Sequence, residues 1–295
     1  MTDATAPRVG YAGEPGAFGE DAVLAVFGDI ERVGLPGFGE VFEGVESGAV
    51  DAGVIPIENV TFGTVRENYD LLLEHQLQIR GDVVVPVRLC LAALPGQRLE
   101  AIDRVYSHIQ ALGQAQTFLR ARPWQLLTTY NTAGAGSLVA ERHEPGSAAV
   151  LSPRAADLFG LEVLALDIQD DPDNRTRFLV IARPAETIPR LRHLADSGSE
   201  GHADIRARAM RTTLVLGVRN EPGALVRVLE VFADRGLNMS KLESRPSREL
   251  AWEYVFWIDL DVDLMAPEAA DVLAALADFS TMVRVLGSYP RTADG

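Results

Sequence analysis

Short apolar segments alternate with amphipathic ones through more than half of the chain, and this alternation constrains the fold more than any other feature. It begins at residue 8 with a short strand that enters a glycine-rich turn, followed by a helix at about 18–27 and a strand near 32–35. A helix at 40–47 and a strand at 52–57 follow. Strands that alternate with helices at this spacing predict a doubly wound α/β domain with a largely parallel sheet. Ligands of such sheets bind in the crevice beyond the carboxyl ends of the strands.

A long apolar run at residues 78–94 interrupts the alternation and predicts a division into two lobes. It is too long for one ordinary strand, and Pro86 lies near its middle, so we interpret it as a segment that crosses between lobes. Strands and helices alternate again beyond it, and we expect a last strand at 178–182 to return to the first lobe. The predicted architecture is a two-lobed, periplasmic-binding-protein-like α/β domain over residues 7–184, with a second lobe at about 86–168.

The composition changes after this domain. Residues 185–210 contain a polar stretch rich in glycine and serine, typical of a solvated linker, with a short helix near residues 190–195. Residues 211–291 predict the β-α-β-β-α-β order of a ferredoxin-like α+β domain. Its expected elements are strands at 213–218, 238–243, 252–260 and 282–287 and helices at 224–235 and 267–278. We expect the sheet face without helices to be apolar and exposed, and such a face predicts a homodimer or homotetramer.

Charge and cysteine content exclude several classes of function. The formal net charge is −15 and no basic run is present, so a nucleic-acid backbone is not an expected partner. An anionic substrate would require a local basic pocket. Cys90 is the single cysteine, and we interpret it as a small buried hydrophobe in a protein of the reducing cytoplasm. We expect no membrane span, and the five histidines have no metal-ligand spacing, so no metal is expected.

Polar side chains gather where the predicted strands end. Thr176 and Arg177 combine a neutral hydroxyl donor with a charged fork donor, which suits a substrate that bears a carboxylate and an oxygen to be protonated or expelled. Further candidates for the same crevice share a position at a strand end or a helix start: Glu58, Asn59, Ser107, Gln110 and Thr132. The adjacent Ser107 and His108 do not predict a hydrolase, because neighbouring side chains diverge and no G-x-S-x-G elbow is present.

The first glycine-rich turn does not predict a dinucleotide cofactor. Its glycines at positions 10, 13 and 16 lack the G-x-G-x-x-G spacing. The helix N-terminus that follows could hold an anion through its free amides, and a tight turn that needs positive φ is an equal alternative.

Together these segments resemble bacterial prephenate dehydratases. The motifs that carry the resemblance appear in the family's order: Gly53-Val-Ile-Pro-Ile-Glu-Asn59, Ser107-His-Ile-Gln-Ala-Leu-Gly-Gln114, Asn131-Thr-Ala133, and Ile168-Gln-Asp170 followed by Asn174-Arg-Thr-Arg-Phe178. The C-terminal unit is similar to an ACT domain, with Asn220-Glu-Pro-Gly-Ala-Leu-Val226 and Glu243-Ser-Arg-Pro246 as its two phenylalanine-binding motifs. Ile109, Val60 and Ala17 depart from the residues that are usual in the family.

The resemblance implies decarboxylative dehydration of prephenate to phenylpyruvate, with feedback inhibition by phenylalanine and no metal or redox cofactor. By the same resemblance, Thr176 would donate to the leaving hydroxyl, and Asn59, Ser107 and Gln114 would orient the substrate. We expect Arg177 to hold a carboxylate, and the remaining expected substrate-binding residues are Phe178, Glu58, Gln110, Thr132 and Ala133. The expected phenylalanine-binding residues are Asn220, Gly223, Ala224, Leu225, Val226, Asn238, Glu243, Ser244, Arg245 and Pro246.

Three other functions stay open at this point. Arogenate, the aminated relative of prephenate, is an alternative substrate. A non-catalytic sensor also fits two lobes around a crevice. A regulator that acts through partner proteins would require an output segment, and the sequence shows none.

Overall fold

The computed structural model describes residues 7–184, 210–246 and 254–291. The first lobe and its crossing strand comprise β1 (Arg8–Ala12), α1 (Phe18–Phe27), β2 (Glu31–Leu35), α2 (Phe38–Ser47), β3 (Ala52–Asn59), β4 (Gly63–Thr64), α3 (Arg66–Glu74) and β5 (Gln78–Pro86). The second lobe comprises β6 (Cys90–Ala93), β7 (Arg104–Ser107), α4 (Ile109–Gln114), α5 (Gln116–Arg120), β8 (Gln125–Thr128), α6 (Thr132–Arg142), β9 (Ser147–Leu151), α7 (Pro153–Leu158) and β10 (Glu162–Ala165). The chain continues with β11 (Arg175–Ala182), β12 (Met210–Val218), α8 (Ala224–Ala233), β13 (Met239–Pro246), β14 (Tyr254–Leu260), α9 (Ala270–Phe279) and β15 (Ser280–Pro290).

Two sheets form the two lobes of the N-terminal domain. The first has the order β2-β1-β3-β11-β5, with β4 paired to β3, and the second has the order β10-β6-β9-β7-β8. β1 is parallel to β2 and β3, whereas β11 is antiparallel to both β3 and β5. The apolar run at 78–94 supplies β5 to the first sheet and β6 to the second. The two-lobed fold, the crossing segment and the return of the last strand are therefore confirmed. The prediction of a largely parallel sheet is wrong, because β11 runs antiparallel to both of its neighbours in the first sheet and β6 runs antiparallel to both of its neighbours in the second.

Cys90 lies in the core of the second lobe. Its side chain is fully buried, and burial raises the pKa of the thiol to about 12. The thiolate is therefore not available as a nucleophile near neutral pH. This confirms the interpretation of Cys90 as a small buried hydrophobe.

Close contacts join the lobes beside the first glycine-rich turn. Arg154 of the second lobe forms ion pairs with Glu20, at 2.6 Å, and with Asp21. Gly16 has φ +91°, and a Cβ built there would lie 2.8 Å from the Cβ of Ala155 across the lobe boundary. Both facts require a glycine at this turn. The tight-turn alternative therefore accounts for Gly16.

The third sheet has the order β13-β14-β12-β15 and is antiparallel throughout. With α8 and α9 it completes the β-α-β-β-α-β order, so the ferredoxin-like prediction is confirmed. Residues 185–209 of the predicted linker at 185–210 and residues 252–253 of the predicted strand at 252–260 lie outside the described residues, whereas Met210 begins β12. The predicted domain boundaries stay predictions. In the part of the chain that the structure describes, no helix has the length and apolarity to cross a membrane.

The apolar face of the third sheet packs against the first lobe of the same chain. Val215, Trp257 and Leu286 share one core cluster with residues of the first sheet, α2 and α3. The Trp257 ring meets the Tyr69 ring edge to face at 4.5 Å between centroids. The prediction that this face is exposed is therefore wrong. The pattern showed that the face was apolar, but it could not show which surface covers it.

A buried ionic network reinforces the same interface. Arg177 contacts Asp82 at 3.0 Å, Asp259 at 2.7 Å and the Tyr289 hydroxyl at 3.0 Å, and Arg211 contacts Asp82 at 2.8 Å. Burial acts to lower the pKa of Arg177, but the surrounding Tyr289, Asp259 and Asp82 raise it above its usual value. Removal of one partner from such a network leaves a buried charge uncompensated, at a cost of about 3–5 kcal/mol.

Gly287 tests how closely the two domains pack. A Cβ at this position of β15 would lie 2.1 Å from the carbonyl oxygen of Ile79 on β5. We expect Gly287→Ala to separate the strands and lower the free energy of unfolding by about 2 kcal/mol or more. Gly39→Ala is the control, because nothing lies within 4 Å of its added Cβ and alanine favours the helix. Denaturant unfolding of both variants measures the difference, and equal stability would contradict the close packing.

Candidate active site

A cavity of about 780 Å³ lies between the two lobes of the N-terminal domain. Its volume falls within the roughly 300–1,000 Å³ of small-molecule sites. The ends of β3 and β11 line it from the first lobe, and the first turns of α4 and α6 line it from the second. It is the crevice that the strand order predicts, because β3 runs parallel to β1 and ends there.

Thr176 and Asn59 form the polar centre of the cavity wall. The Asn59 Nδ2 donates to the Thr176 Oγ at 2.9 Å. No hydrogen bond among the described residues uses the Thr176 hydroxyl as a donor. Its proton is therefore free to point into the cavity, and the incoming N–H polarises it.

The amide of Asn59 is itself fixed on both sides. Its Nδ2 also donates to Asn174 Oδ1 at 2.8 Å, and its Oδ1 accepts from the backbone of Thr61 and Phe62 at 3.0 and 2.9 Å. Asn59 thus holds the turn of the hairpin at residues 58–64, which we call the β3–β4 hairpin. Asn174 is a supporting residue that the sequence analysis placed in a motif without a role of its own, because its partner Asn59 is distant along the chain.

Arg177 does not reach the cavity. Successive side chains of a strand point to opposite faces, so Thr176 and Phe178 face the crevice while Arg177 faces the C-terminal domain. The predicted carboxylate contact of Arg177 is therefore wrong, and its partners are Asp82, Asp259 and Tyr289. Glu58 pairs with Arg177 in register and also points away from the cavity, with its carboxylate 2.6 Å from Lys241 Nζ. The predicted substrate contact of Glu58 is likewise contradicted.

Ser107 is fully buried and its hydroxyl donates to the carbonyl of Val150 at 2.6 Å. It joins β7 to β9 beneath the cavity, and its contact is with the neighbouring strand. The structure therefore contradicts a direct role of Ser107 in substrate orientation. The hydroxyl is equally unavailable as a nucleophile beside His108.

The other predicted substrate residues line the cavity: Gln110, Gln114, Thr132, Ala133 and Phe178. Their roles stay predictions. The sequence missed Phe62, Thr64, Arg66, His108 and Tyr130, which also line it. Arg66 could have been predicted from the sequence, because it lies in the first turn of α3, which follows the polar loop after β3 and faces the same crevice.

The electrostatics of the cavity favour an anion despite the negative net charge of the chain. Arg66 is the one lysine or arginine among the described residues that line it. The N-termini of α1, α2 and α3 also open onto it, and none of these three has a side-chain cap. Their free N–H groups are donors for carboxylates. Burial lowers the pKa of His108, so this ring is neutral at physiological pH.

The expected phenylalanine-binding residues fall into two groups. Strand pairing places Val218, Tyr254 and Pro246 side by side, so Asn220–Val226 and Ser244–Pro246 lie at one end of the third sheet. Asn238 follows the far end of α8, whose ten residues span about 15 Å, and it donates to Asp261 at 2.7 Å. Asn238 therefore cannot join Gly223 around one ligand within a single chain.

Glu243 and Arg245 contact the N-terminal domain instead of facing solvent. Glu243 accepts a hydrogen bond from Thr64 at 2.8 Å, and Arg245 donates to the carbonyl of Arg66 at 2.9 Å. Direct contact of these two side chains with phenylalanine is therefore not what the structure supports.

Comparison with known proteins agrees with the fold. The family profile described as prephenate dehydratase matches residues 9–186, and the ACT domain profile matches residues 212–278. An Arabidopsis thaliana protein named arogenate dehydratase/prephenate dehydratase 2, chloroplastic, is 38% identical over 96% of this chain and 72% of its own length.

Two solved structures extend the comparison. The prephenate dehydratase of Arthrobacter aurescens in complex with L-Phe has a TM-score of 0.82 and 32% identity, and the match covers 97% of this chain and 90% of that one. A protein described as a quorum quenching acylase has a TM-score of 0.83 and 29% identity, and the match covers 97% of this chain and 99% of that one. The family profile spans more than half of the sequence and the relatives match nearly all of it, so the chain belongs to the prephenate dehydratase family, with an ACT domain at its C-terminal end.

Proposed function

We propose that the chain converts prephenate to phenylpyruvate, carbon dioxide and water and that phenylalanine inhibits it. The observation that carries the proposal is the Thr176 hydroxyl in the interlobe cavity, with its oxygen bound by Asn59 and its proton free. The family membership and the matching relatives support it.

Departure of the hydroxyl group is the part of the reaction that most requires stabilisation by the protein. The bond between the ring and its carboxylate breaks, and its electrons enter the ring as carbon dioxide leaves. The bond between the ring and its hydroxyl breaks at the opposite carbon, and the hydroxide takes one proton to leave as water. Aromatisation supplies the driving force. A hydrogen bond from Thr176 stabilises the charge that develops on the leaving oxygen, and Asn59 strengthens that donor.

The substrate also carries two carboxylates that must be held. Arg66 and the uncapped helix N-termini provide a cation and free amides at the cavity wall. Phe18, Phe38 and Phe178 supply an apolar surface for the ring. This division places charge recognition on the helix starts and leaves Thr176 for the chemical step.

Arogenate is the second candidate substrate. It replaces the keto group of the prephenate side chain with an ammonium group, and the Arabidopsis relative carries both substrate names. Glu67 lines the cavity beside Arg66 and is an acceptor for an ammonium group. We propose prephenate as the main substrate, and comparison of kcat/KM on the two compounds tests the choice.

No serine or cysteine is among the described residues that line the cavity, so an acylase that uses either nucleophile there is not supported. An acyl-transfer nucleophile must be reachable by the substrate. The Ser107 hydroxyl is buried and bound to Val150, and the Cys90 thiol is buried with a raised pKa. A catalytically inactive sensor would be expected to lose the Thr176 hydroxyl or the Asn59 amide, and both are present in the cavity wall, so we favour the enzyme over the sensor.

A homodimer or homotetramer and a cytoplasmic location remain our proposals. The apolar sheet face no longer supports self-association, because the first lobe covers it. The separation of Asn238 from Gly223 within one chain supports self-association instead. In an assembly, Asn238 of one copy can lie beside Gly223 of a second copy. The single cysteine is the observation behind the cytoplasmic location.

Thr176→Ala removes the proposed donor. We expect kcat for phenylpyruvate formation to fall about 100-fold or more, because the leaving hydroxide loses its stabilising hydrogen bond. Thr176→Ser keeps the hydroxyl and is expected to retain activity within about tenfold. Steady-state kinetics with prephenate measures both. An alanine variant as active as the serine variant would remove Thr176 from the chemical step.

Arg66→Gln tests the charge at the cavity wall. We expect KM for prephenate to rise about tenfold with little change in kcat, because the lost attraction acts on the bound substrate and the transition state alike. Arg98→Gln makes the same charge change at an exposed position outside the cavity. An equal effect of the two variants would show that only the net charge of the protein matters.

A further inference from the structure

Strand β13 of the ACT domain has one face against the first lobe and one exposed face. Its residues alternate strictly between partly buried and exposed along the strand. Lys241, Glu243 and Arg245 point toward the first lobe, whereas Leu242 and Ser244 are exposed. One face of the second predicted phenylalanine motif is therefore occupied by the chain itself.

The three inward side chains contact one continuous segment of the first lobe. Lys241 Nζ lies 2.6 Å from Glu58 Oε2. Glu243 accepts from the Thr64 hydroxyl at 2.8 Å. Arg245 donates to the Arg66 carbonyl at 2.9 Å. These contacts hold both strands of the β3–β4 hairpin and the first residue of α3.

The segment that they hold is part of the cavity wall. Thr64 and Arg66 line the cavity, as does Phe62 at the tip of the hairpin. Asn59, which binds the Thr176 hydroxyl, pairs with Gly63 across the same hairpin. A displacement of β13 would therefore move the cavity wall directly and would alter the support of Thr176.

We propose that Lys241, Glu243 and Arg245 are positioning residues that couple the ACT domain to the active site through the β3–β4 hairpin. This inference rests on the proposed function and assigns the route of its regulation. A ligand at the end of the sheet that carries Gly223 and Ser244 touches the outer face of β13. The inner face transmits its displacement to the hairpin and changes substrate affinity, and substrate changes the ligand's affinity by the same factor.

Removal of the Glu243 side chain has different consequences if this residue couples the domains and if it binds phenylalanine. If Glu243 contacts phenylalanine, its removal abolishes binding and inhibition together. If Glu243 positions the hairpin, its removal weakens inhibition while phenylalanine still binds. Kinetics and calorimetry on the same variant separate the two cases.

The test uses Glu243→Ala with two controls. Glu243→Gln retains an oxygen that accepts the Thr64 hydroxyl. Arg284→Gln removes another contact between the domains, because Arg284 donates to the carbonyls of Leu73 and His75 at 2.6 Å each. These carbonyls lie at the far end of α3 from the cavity, so this variant controls for general loosening of the interface.

We expect Glu243→Ala to raise the half-inhibitory concentration of phenylalanine about tenfold and to raise KM for prephenate, while the Kd of phenylalanine changes less than about threefold. Glu243→Gln should restore inhibition. Arg284→Gln should lower the Tm and leave inhibition intact. Loss of phenylalanine binding in Glu243→Ala, unchanged inhibition, or equal loss of inhibition in Arg284→Gln would each overturn the proposal.

Hydrogen exchange separates this inference from the proposed function. If the wild-type protein makes no phenylpyruvate, the proposed function fails. A change in amide hydrogen exchange at residues 57–67 when phenylalanine is added would still show that the ACT domain is coupled to the hairpin. We expect phenylalanine to change exchange there in the wild type and not in Glu243→Ala. A wild type that does not bind phenylalanine, or one that binds it without change at 57–67, would refute the coupling.

Discussion

Successive side chains of strand β11 point to opposite faces of the sheet, and this alternation determines how the rest of the molecule is arranged. Thr176 and Phe178 face the interlobe cavity, while Arg177 and Leu179 face the ACT domain. Pairing with β3 and β5 on both sides fixes the register of the strand. A slip by one residue would bring Arg177 into the cavity and remove Thr176 from it. Chemistry and domain docking thus depend on the same few residues.

The ionic network behind β11 makes this register costly to change. Asp82 is fully buried and receives two arginines, and Asp259 receives Arg177 and the Thr213 hydroxyl at 2.6 Å. Each charge is paired, so the network holds together only when both domains are in place. The ACT domain is therefore part of the structural support of the active-site strand as well as its proposed regulator.

The sequence predicted most of the fold and the centre of the site, and its errors have physical causes. Alternating patterns located the lobes, the return strand and the ferredoxin-like order because each element carries its own period. Thr176 and Asn59 were identified from motifs at strand ends. Arg177 was misplaced because adjacent residues of a strand face opposite sides. The cover of the ACT sheet could not be predicted, since an apolar face does not specify its partner.

The central claim is that prephenate binds in the interlobe cavity with its leaving hydroxyl at Thr176. A crystal structure of the Thr176→Ala variant with prephenate tests it most directly. The account predicts the ring hydroxyl beside residue 176 and Asn59, a carboxylate near Arg66, and Arg177 still bound to Asp82 and Asp259. A carboxylate bound to Arg177, or prephenate outside the cavity, would contradict it.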